Sequence, residues 1–543
     1  MLALAGIAPG ASAQGTALVS LTDLAYRDVD RLVELGMLRA VIVGQRPYSR
    51  EEFARLVGAS RDRLEELNAR QRFAPVGDAE RAANGILQRL EARFGDESRT
   101  APRGALLSLV DAASISFVST DAVSRGFPGN LTRDIEASIE PLTPRRLGRR
   151  APPGSTFGID LQQRLEPFSW LAFRMRERLE YRLPNDTTRS RTDGEILLAS
   201  ARARAGNVAF TVGREQFAWA QREGSGLFLA SDAPALDLVS IAGDRPFLLP
   251  GIFRALGATQ ATLFVADLGV SRVRSRSKLL GYKVSVQPHG AVELGGSFLN
   301  HFGGAGARRS SVGSQLIDFL PFIDIFRRHN YTDSTRALDV DSDKLLGVDG
   351  RWRTPVLGGV MLSGELLIDD FDVNRIRHLV TSYGSSTASV LFPKLSTAAL
   401  SLELTAKHTG ILTYAHGGLT NGIATRDRLI GDELGPDAKA FGARVRWTPA
   451  PALRVSLEGR SSVHGNADYA IGYTDSTNAR QFVQKIAVRE DELRDQLVGT
   501  IEFQSDEGLA LVIRGGGERV RNFNFSGGRR REYLFDVALR LRQ

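Results

Sequence analysis

The sequence predicts an all-β transmembrane β-barrel of about 18 antiparallel strands, preceded by a small N-terminal α-helical domain. Three observations carry this reading. After Pro102 the hydrophobic period changes from three-to-four residues to two, and it stays at two through many segments. Short turns and long polar segments alternate along the same stretch. No apolar run approaches the roughly 18 residues that a membrane-spanning helix needs.

Residues 1–14 (MLALAGIAPGASAQ) join a short apolar stretch to Ala11-Ser12-Ala13, the small-x-small pattern of a cleavage site, and read as a signal peptide with a truncated start. Residues 20–96 read as a bundle of three helices. In the first, Leu24, Val29, Leu32, Val33 and Leu35 recur at helical spacing and Gly36 stands where a C-cap belongs. Ser49-Arg-Glu-Glu52 is a capping-box pattern ahead of Phe53 and Leu56. A third helix over 78–93 gathers Ile86, Leu87 and Leu90 on one side, with Phe94 beyond it.

Residues 103–543 read as the barrel. Leu171, Phe173, Met175, Leu179 and Tyr181 share one face of a strand whose other face carries Arg174, Arg176, Arg178, Glu180 and Arg182. Phe441, Ala443, Val445 and Trp447 alternate in the same way with Arg444 and Arg446, and Phe535, Val537, Leu539 and Leu541 with Asp536 and Arg540. Hydrocarbon offers no hydrogen bonds to an open sheet edge, so such strands are stable in a membrane only when the sheet closes. Short turns are expected at 166–169, 205–207, 288–291, 354–357, 393–397, 449–452 and 505–508. Long segments are expected at 183–195, 218–234, 300–343, 369–385, 409–439, 461–494 and 516–531. An even strand count then puts both termini, and the helical domain, on the short-turn side.

Bulk composition narrows the chemistry. The 543 residues contain no Cys, which excludes disulfides, thiolate metal sites and Cys nucleophiles. The net charge of +8 suits an acidic polymer or anionic lipid. No phosphate-cradling Gly loop or basic-aromatic ladder points to nucleic acid.

Several stretches together resemble the capsule-assembly (Wzi-type) outer-membrane proteins. They are Leu24-Ala-Tyr-Arg-Asp-Val-Asp-Arg-Leu-Val-Glu-Leu-Gly36 with Arg46-Pro-Tyr-Ser-Arg-Glu-Glu-Phe53, Val212-Gly-Arg-Glu-Gln-Phe-Ala-Trp219, Leu227-Phe-Leu-Ala-Ser-Asp-Ala-Pro234, Val292-Glu-Leu-Gly295, Leu346-Gly-Val-Asp-Gly-Arg351, Gly364-Glu-Leu-Leu-Ile-Asp-Asp370 and Gly431-Asp-Glu-Leu-Gly-Pro-Asp-Ala438. The resemblance implies an outer-membrane barrel with extracellular loops and a periplasmic helical bundle. It implies a lectin-like, non-enzymatic protein that binds capsular or exopolysaccharide, with outer-membrane lipid and other polysaccharide export components as further partners and no cofactor. A porin or transporter with a periplasmic cell-wall-binding helical module is the alternative.

The candidate polysaccharide-binding residues lie in or next to expected outer loops. Arg178, Arg182, Arg308 and Arg309 suit acidic sugars, because guanidinium groups bind carboxylates in bidentate fashion. Inward arginines also suit an internal ion-pair network with Glu180, Glu215, Glu365 and Glu403. Tyr331, Tyr383, Tyr414, Tyr469 and Tyr473 offer ring faces to sugars, while Asp369, Asp370 and Asp372 sit where a strand is expected to leave the membrane. Asp339, Asp341 and Asp343 begin like a calcium loop, but the Gly at its sixth position and the closing Glu are missing. The seven histidines lack zinc-site spacing. No Gly-x-Ser-x-Gly elbow marks a Ser nucleophile. The apolar segment 316–326 reads as folding into the barrel mouth.

Overall fold

The computed structural model describes residues 16–70, 77–98, 105–126, 138–139, 142, 151–186, 189–224, 226–272, 274–307, 313, 319, 342–356, 358–369, 384–415, 422–465, 467–473, 481–487 and 490–542. Residues 1–14 and nearly all of 316–326 lie outside them. Three helices come first: α1 (Ala25–Leu35), α2 (Arg50–Arg70) and α3 (Asp78–Phe94). Gly36 ends α1 in the left-handed conformation at φ 77°, where a side chain would be strained, and the Met37 N–H donates back to the Leu32 carbonyl at 2.9 Å. Ser49 Oγ accepts the Glu52 N–H at 3.2 Å and so caps α2. Tyr26, Tyr48, Phe53 and Phe94 form a ring cluster in which Phe53 stacks on Phe94 and meets the two tyrosines edge-on.

The barrel follows. Its strands are β1 (Leu106–Thr120), β2 (Gly154–Phe168), β3 (Leu171–Pro184), β4 (Arg191–Ala205), β5 (Val208–Glu215) and β6 (Leu236–Gly243). Next come β7 (Ala258–Asp267), β8 (Lys278–His289), β9 (Val292–Phe302), β10 (Ser342–Arg353), β11 (Met361–Asp369) and β12 (Gly384–Phe392). The last six are β13 (Leu400–Thr409), β14 (Ala438–Ala450), β15 (Leu453–His464), β16 (Glu492–Gln504), β17 (Ala510–Phe523) and β18 (Gly528–Arg542). Each pairs antiparallel with its neighbours in chain order. β1 pairs with both β2 and β18, which closes the ring and leaves no edge.

Alternation sets what each face meets. Phe441 and Trp447 point outward at 58% and 51% exposure, whereas Ser401 and Glu403 of the adjoining strand point inward and are buried. The expected alternation of short turns and long loops holds with two differences. The rims gain the connections 244–257 and 268–277 around the short strands β6 and β7. The long segment expected at 516–531 does not exist, because β17 and β18 stay paired until a tight turn at 524–527. Arg519, Arg521, Arg529 and Arg531 made that stretch look like a polar loop, although in the ladder they occupy one face at period two.

The helices dock against the short-turn rim. Their core is continuous with Met361, Leu391 and Ala398 of the barrel. Arg31 donates to the Pro393 and Ala398 carbonyls. The segment linking α1 to α2 runs into the lumen, where Glu293 accepts the N–H groups of Val43 and Gly44 at 2.9 and 2.7 Å.

Candidate functional site

Most inward charges of the first barrel strands pair with each other. Arg174 binds Glu215 and donates to the Leu18 carbonyl at 2.8 Å. Arg178 meets Asp160 at 3.2 Å and Glu180 at 2.9 Å, and Arg182 meets Glu180 at 3.0 Å and Asp193 at 3.3 Å. Arg202 takes Asp244, and Arg204 takes Glu51 of α2, both at 2.6 Å. These arginines are therefore a filling of the barrel that also binds the helical unit to it. Arg178 is buried; Arg182, nearer the long-loop rim, keeps part of its side chain exposed.

From the other rim, the described residues of the connections 216–235 and 410–437 fold inward. Ala218 exchanges two backbone hydrogen bonds with Arg46, at 3.0 and 2.9 Å, so a loop from one rim meets the N-terminal segment from the other. Tyr414 ties the two loops together. Its hydroxyl donates to the Leu227 carbonyl at 2.6 Å and accepts the Asp432 N–H at 3.0 Å. Its own N–H goes to Asp369 at 2.9 Å. Phe217, Trp219, Leu227, Phe228, Leu229, Ile423 and Ile430 pack with inward residues such as Phe264, Leu279, Leu299 and Leu345 into an apolar core inside the barrel.

Between this plug and α1 lies an internal cavity of about 170 Å3. Its walls are charged. Glu403 of β13 takes Arg222 of the 216–235 loop at 2.6 Å and Arg446 of β14 at 3.2 Å. Arg446 also holds Glu34 of α1 at 2.8 Å, and Glu34 takes Arg31 at 2.7 Å. Burial alone would raise the Glu34 carboxyl, but the two guanidinium groups outweigh it and hold it down at about 2. Lys407 reaches Asp432 at 2.6 Å, and Arg460 reaches Glu433 at 2.9 Å. Burial keeps the Glu433 carboxyl above its usual range despite that partner. The cavity thus mixes guanidinium and carboxylate groups, the set that hydrogen-bonds sugar hydroxyls and uronate carboxylates. Among the described residues no group of three or more His, Asp or Glu could hold a metal ion. Asp349 is instead engaged by Lys283 and Gln221.

Two candidates read as loop groups are corrected. Tyr414 is 0% exposed, and its ring is held by the plug, so it has no face free for a sugar. Asp369 is 1% exposed beneath the 410–415 segment and is not the wet end of its strand. Both errors have one cause: a loop that folds back into a barrel is buried, and polarity along the chain does not reveal the direction of the fold. Arg308, Arg309, Tyr331, Asp370, Asp372 and Tyr383 lie outside the described residues. Tyr469 and Tyr473 belong to a hairpin of Ala467–Tyr473 with Gln481–Ala487, at the connection between β15 and β16. Sequence reasoning missed the cavity groups Arg222, Asp432 and Glu433; the inward period of Arg444 and Arg446 marks the wall they face but not the loops that carry them.

Residues 145–533 match the family described as Capsule assembly protein Wzi. No curated relative matches the chain by sequence. Among solved structures, the Escherichia coli outer membrane protein Wzi, described as a carbohydrate-binding β-barrel involved in group 1 capsule assembly, aligns at TM-score 0.65 and 13% identity over 97% of this chain and 99% of that one. Acinetobacter baumannii OccAB1 aligns at 0.42 and 9% over 82% and 99%, and Pseudomonas aeruginosa OccD3 at 0.41 and 12% over 81% and 95%, values too low to carry an argument. The likeness to the Escherichia coli barrel bears on fold, and the match over 145–533 spans most of the chain: this protein belongs to the Wzi capsule assembly family.

Proposed function

We propose that this barrel binds an acidic capsular or exopolysaccharide and holds it at the cell surface, with its long-loop rim extracellular and its helical unit periplasmic. The observation that carries the reading is the filled lumen. Loops 216–235 and 410–437 descend from one rim and meet the N-terminal segment entering from the other. A barrel occupied in this way from both ends is better suited to presenting groups than to passing solutes, which favours attachment over transport. Membership of the family supports the same reading, as does the name of its Escherichia coli member, a carbohydrate-binding barrel. The expected activity is binding without bond cleavage, and the protein needs no cofactor for it.

The proposed contacts are Arg182 and the exposed Arg191 beside it, together with the expected outer-loop residues Arg308, Arg309, Tyr331, Asp370, Asp372, Tyr383, Tyr469 and Tyr473. Guanidinium groups suit uronate carboxylates, and ring faces suit the apolar side of a sugar. A deletion strain should shed polysaccharide into the medium. Re-expression of the natural chain should restore the cell-bound fraction, and the R182A/R308A/R309A chain should restore it only partly. Equal restoration by both would remove these arginines from the site, and unchanged retention in the deletion strain would end the proposal.

A further inference from the structure

On the lipid-facing side of the barrel, two hairpin ends at the long-loop rim carry opposite-sign pairs across neighbouring strands. Arg214 of β5 meets Asp237 of β6 at 2.7 Å, and Lys278 of β8 meets Asp267 of β7 at 2.7 Å. One hairpin breaks the pattern. In the β17–β18 register, Arg519 stands directly opposite Arg531 and Arg521 directly opposite Arg529. All four are exposed. Like charges facing each other across strands are destabilising. The nearest compensation is Asp495 of β16, opposite Arg519 in register and 3.6 Å from Arg521. Among the described residues, Asp495 is the carboxylate in ion-pair range of these four guanidinium groups, and Asp121, which accepts the Tyr533 N–H at 2.6 Å, is a second acid beside β18.

Their depth says what could meet them. The outward residues of β18 below the patch are Leu541, Leu539, Val537, Phe535 and Tyr533, all apolar or aromatic and mostly exposed. From Leu541 to Tyr533 the strand advances about 27 Å, or about 21 Å along the membrane normal at a tilt of ~40°. That nearly fills the ~25 Å apolar band of such barrels, with Tyr533 at the upper aromatic girdle. Arg531 and Arg529 then lie about 5 and 10 Å beyond it, within the headgroup layer. Lipid-facing guanidinium groups at this height, outnumbering the carboxylates beside them, match phosphate groups, which they bind bidentately.

We propose that the outward arginines Arg519, Arg521, Arg529 and Arg531 form a binding site for the phosphate groups of the glycolipid in the outer leaflet, seating this face of the barrel on a phosphorylated lipid headgroup. The site rests on the long-loop rim facing outward, as in the function proposed above, but not on polysaccharide binding. It is on the barrel exterior, whereas the polymer contacts proposed above are in the loops.

The test uses the full chain purified in detergent, with bisphosphorylated and dephosphorylated lipid A as probes in mixed micelles. The natural protein should bind the bisphosphorylated form at least about tenfold tighter. The R519Q/R521Q/R529Q/R531Q chain should lose that preference, while R214Q, which removes an outward arginine already paired with an acid, should keep it. A fourfold Arg-to-Lys chain, which retains the charge, should keep part of the preference and separates charge loss from a folding defect. No preference in the natural protein, or an unchanged one in the Gln chain, would overturn the site. So would a Gln chain that keeps the lipid preference yet releases polysaccharide, since the patch would then serve the polymer. If the natural protein binds lipid A as expected but retains no polysaccharide, the lipid site stands and the attachment function fails.

Discussion

At the scale of single residues, Tyr414 and Glu403 show how much the interior depends on completed partnerships. The Tyr414 hydroxyl serves two backbone groups of two different loops inside a sealed core. Tyr414→Phe keeps the ring and strands the Leu227 carbonyl and the Asp432 N–H, so we expect a loss of about 1–3 kcal/mol, seen as a lower unfolding temperature and earlier protease cleavage in 410–437. Glu403 is the common acceptor of Arg222, Arg446 and, at 3.7 Å, Arg444. Glu403→Ala takes a shared carboxylate from buried cations, of which Arg446 keeps Glu34 and Arg444 keeps Glu458, and should cost up to about 3–5 kcal/mol in the same unfolding measurement. The sequence could announce neither role. Glu403 was legible as inward-facing from its strand period, but its partner Arg222 lies in a loop whose return into the lumen leaves no periodic trace. Tyr414 was misread for the same reason.

At the scale of elements, the strands were the most legible part, because the period of two and the need to close the sheet act on every one of them. The exception is the β17–β18 turn, where a charged outer face imitated a loop. The helices were legible from caps and spacing, but their docking was not, since it depends on ion pairs distant in sequence. Glu34 of α1 is one such tie to the barrel wall, through Arg446. Its carboxyl is held at about 2 in the folded state, against an ordinary value near 4.5. A depressed carboxylate stabilises the docked state above the ordinary value, and the contribution fades as pH falls through the folded one. The interval bounds the contribution at roughly 3 kcal/mol. Asp23, held low by Arg542 and Arg93 against the effect of burial, acts in the same direction. Lowering the pH from about 5 to about 2 should therefore raise hydrogen exchange in α1 before the barrel strands lose protection. Simultaneous loss in both would show that the helical unit does not undock separately.

At the scale of the whole molecule, the barrel is a wall of 18 strands whose interior is occupied from both ends. The outer wall is set by the lipid and the inner wall by what fills it, so the sequence period reports the first directly and the second only as polarity. A lumen lined by arginine and glutamate reads equally well as a water-filled pore or as a packed ion-pair lattice. The difference lies in whether those charges find fixed partners, and here they find them in the 216–235 loop, the 410–437 loop and the helical unit. This leads to a conductance prediction that tests the closure itself. In a planar bilayer the natural protein should show no steady open current. Replacing residues 218–230 by a short Gly-Ser linker removes Trp219, Arg222 and the Leu227 partner of Tyr414 together, leaving Glu403 and Lys407 exposed to a wet lumen. That chain should conduct, with cation–anion selectivity shifted by Glu403→Gln. A deleted-loop barrel that stays closed would mean that α1 and the segment before α2 seal the lumen alone. A natural barrel with a steady current would mean that the inward loops open, and the attachment function would then share the molecule with a pore.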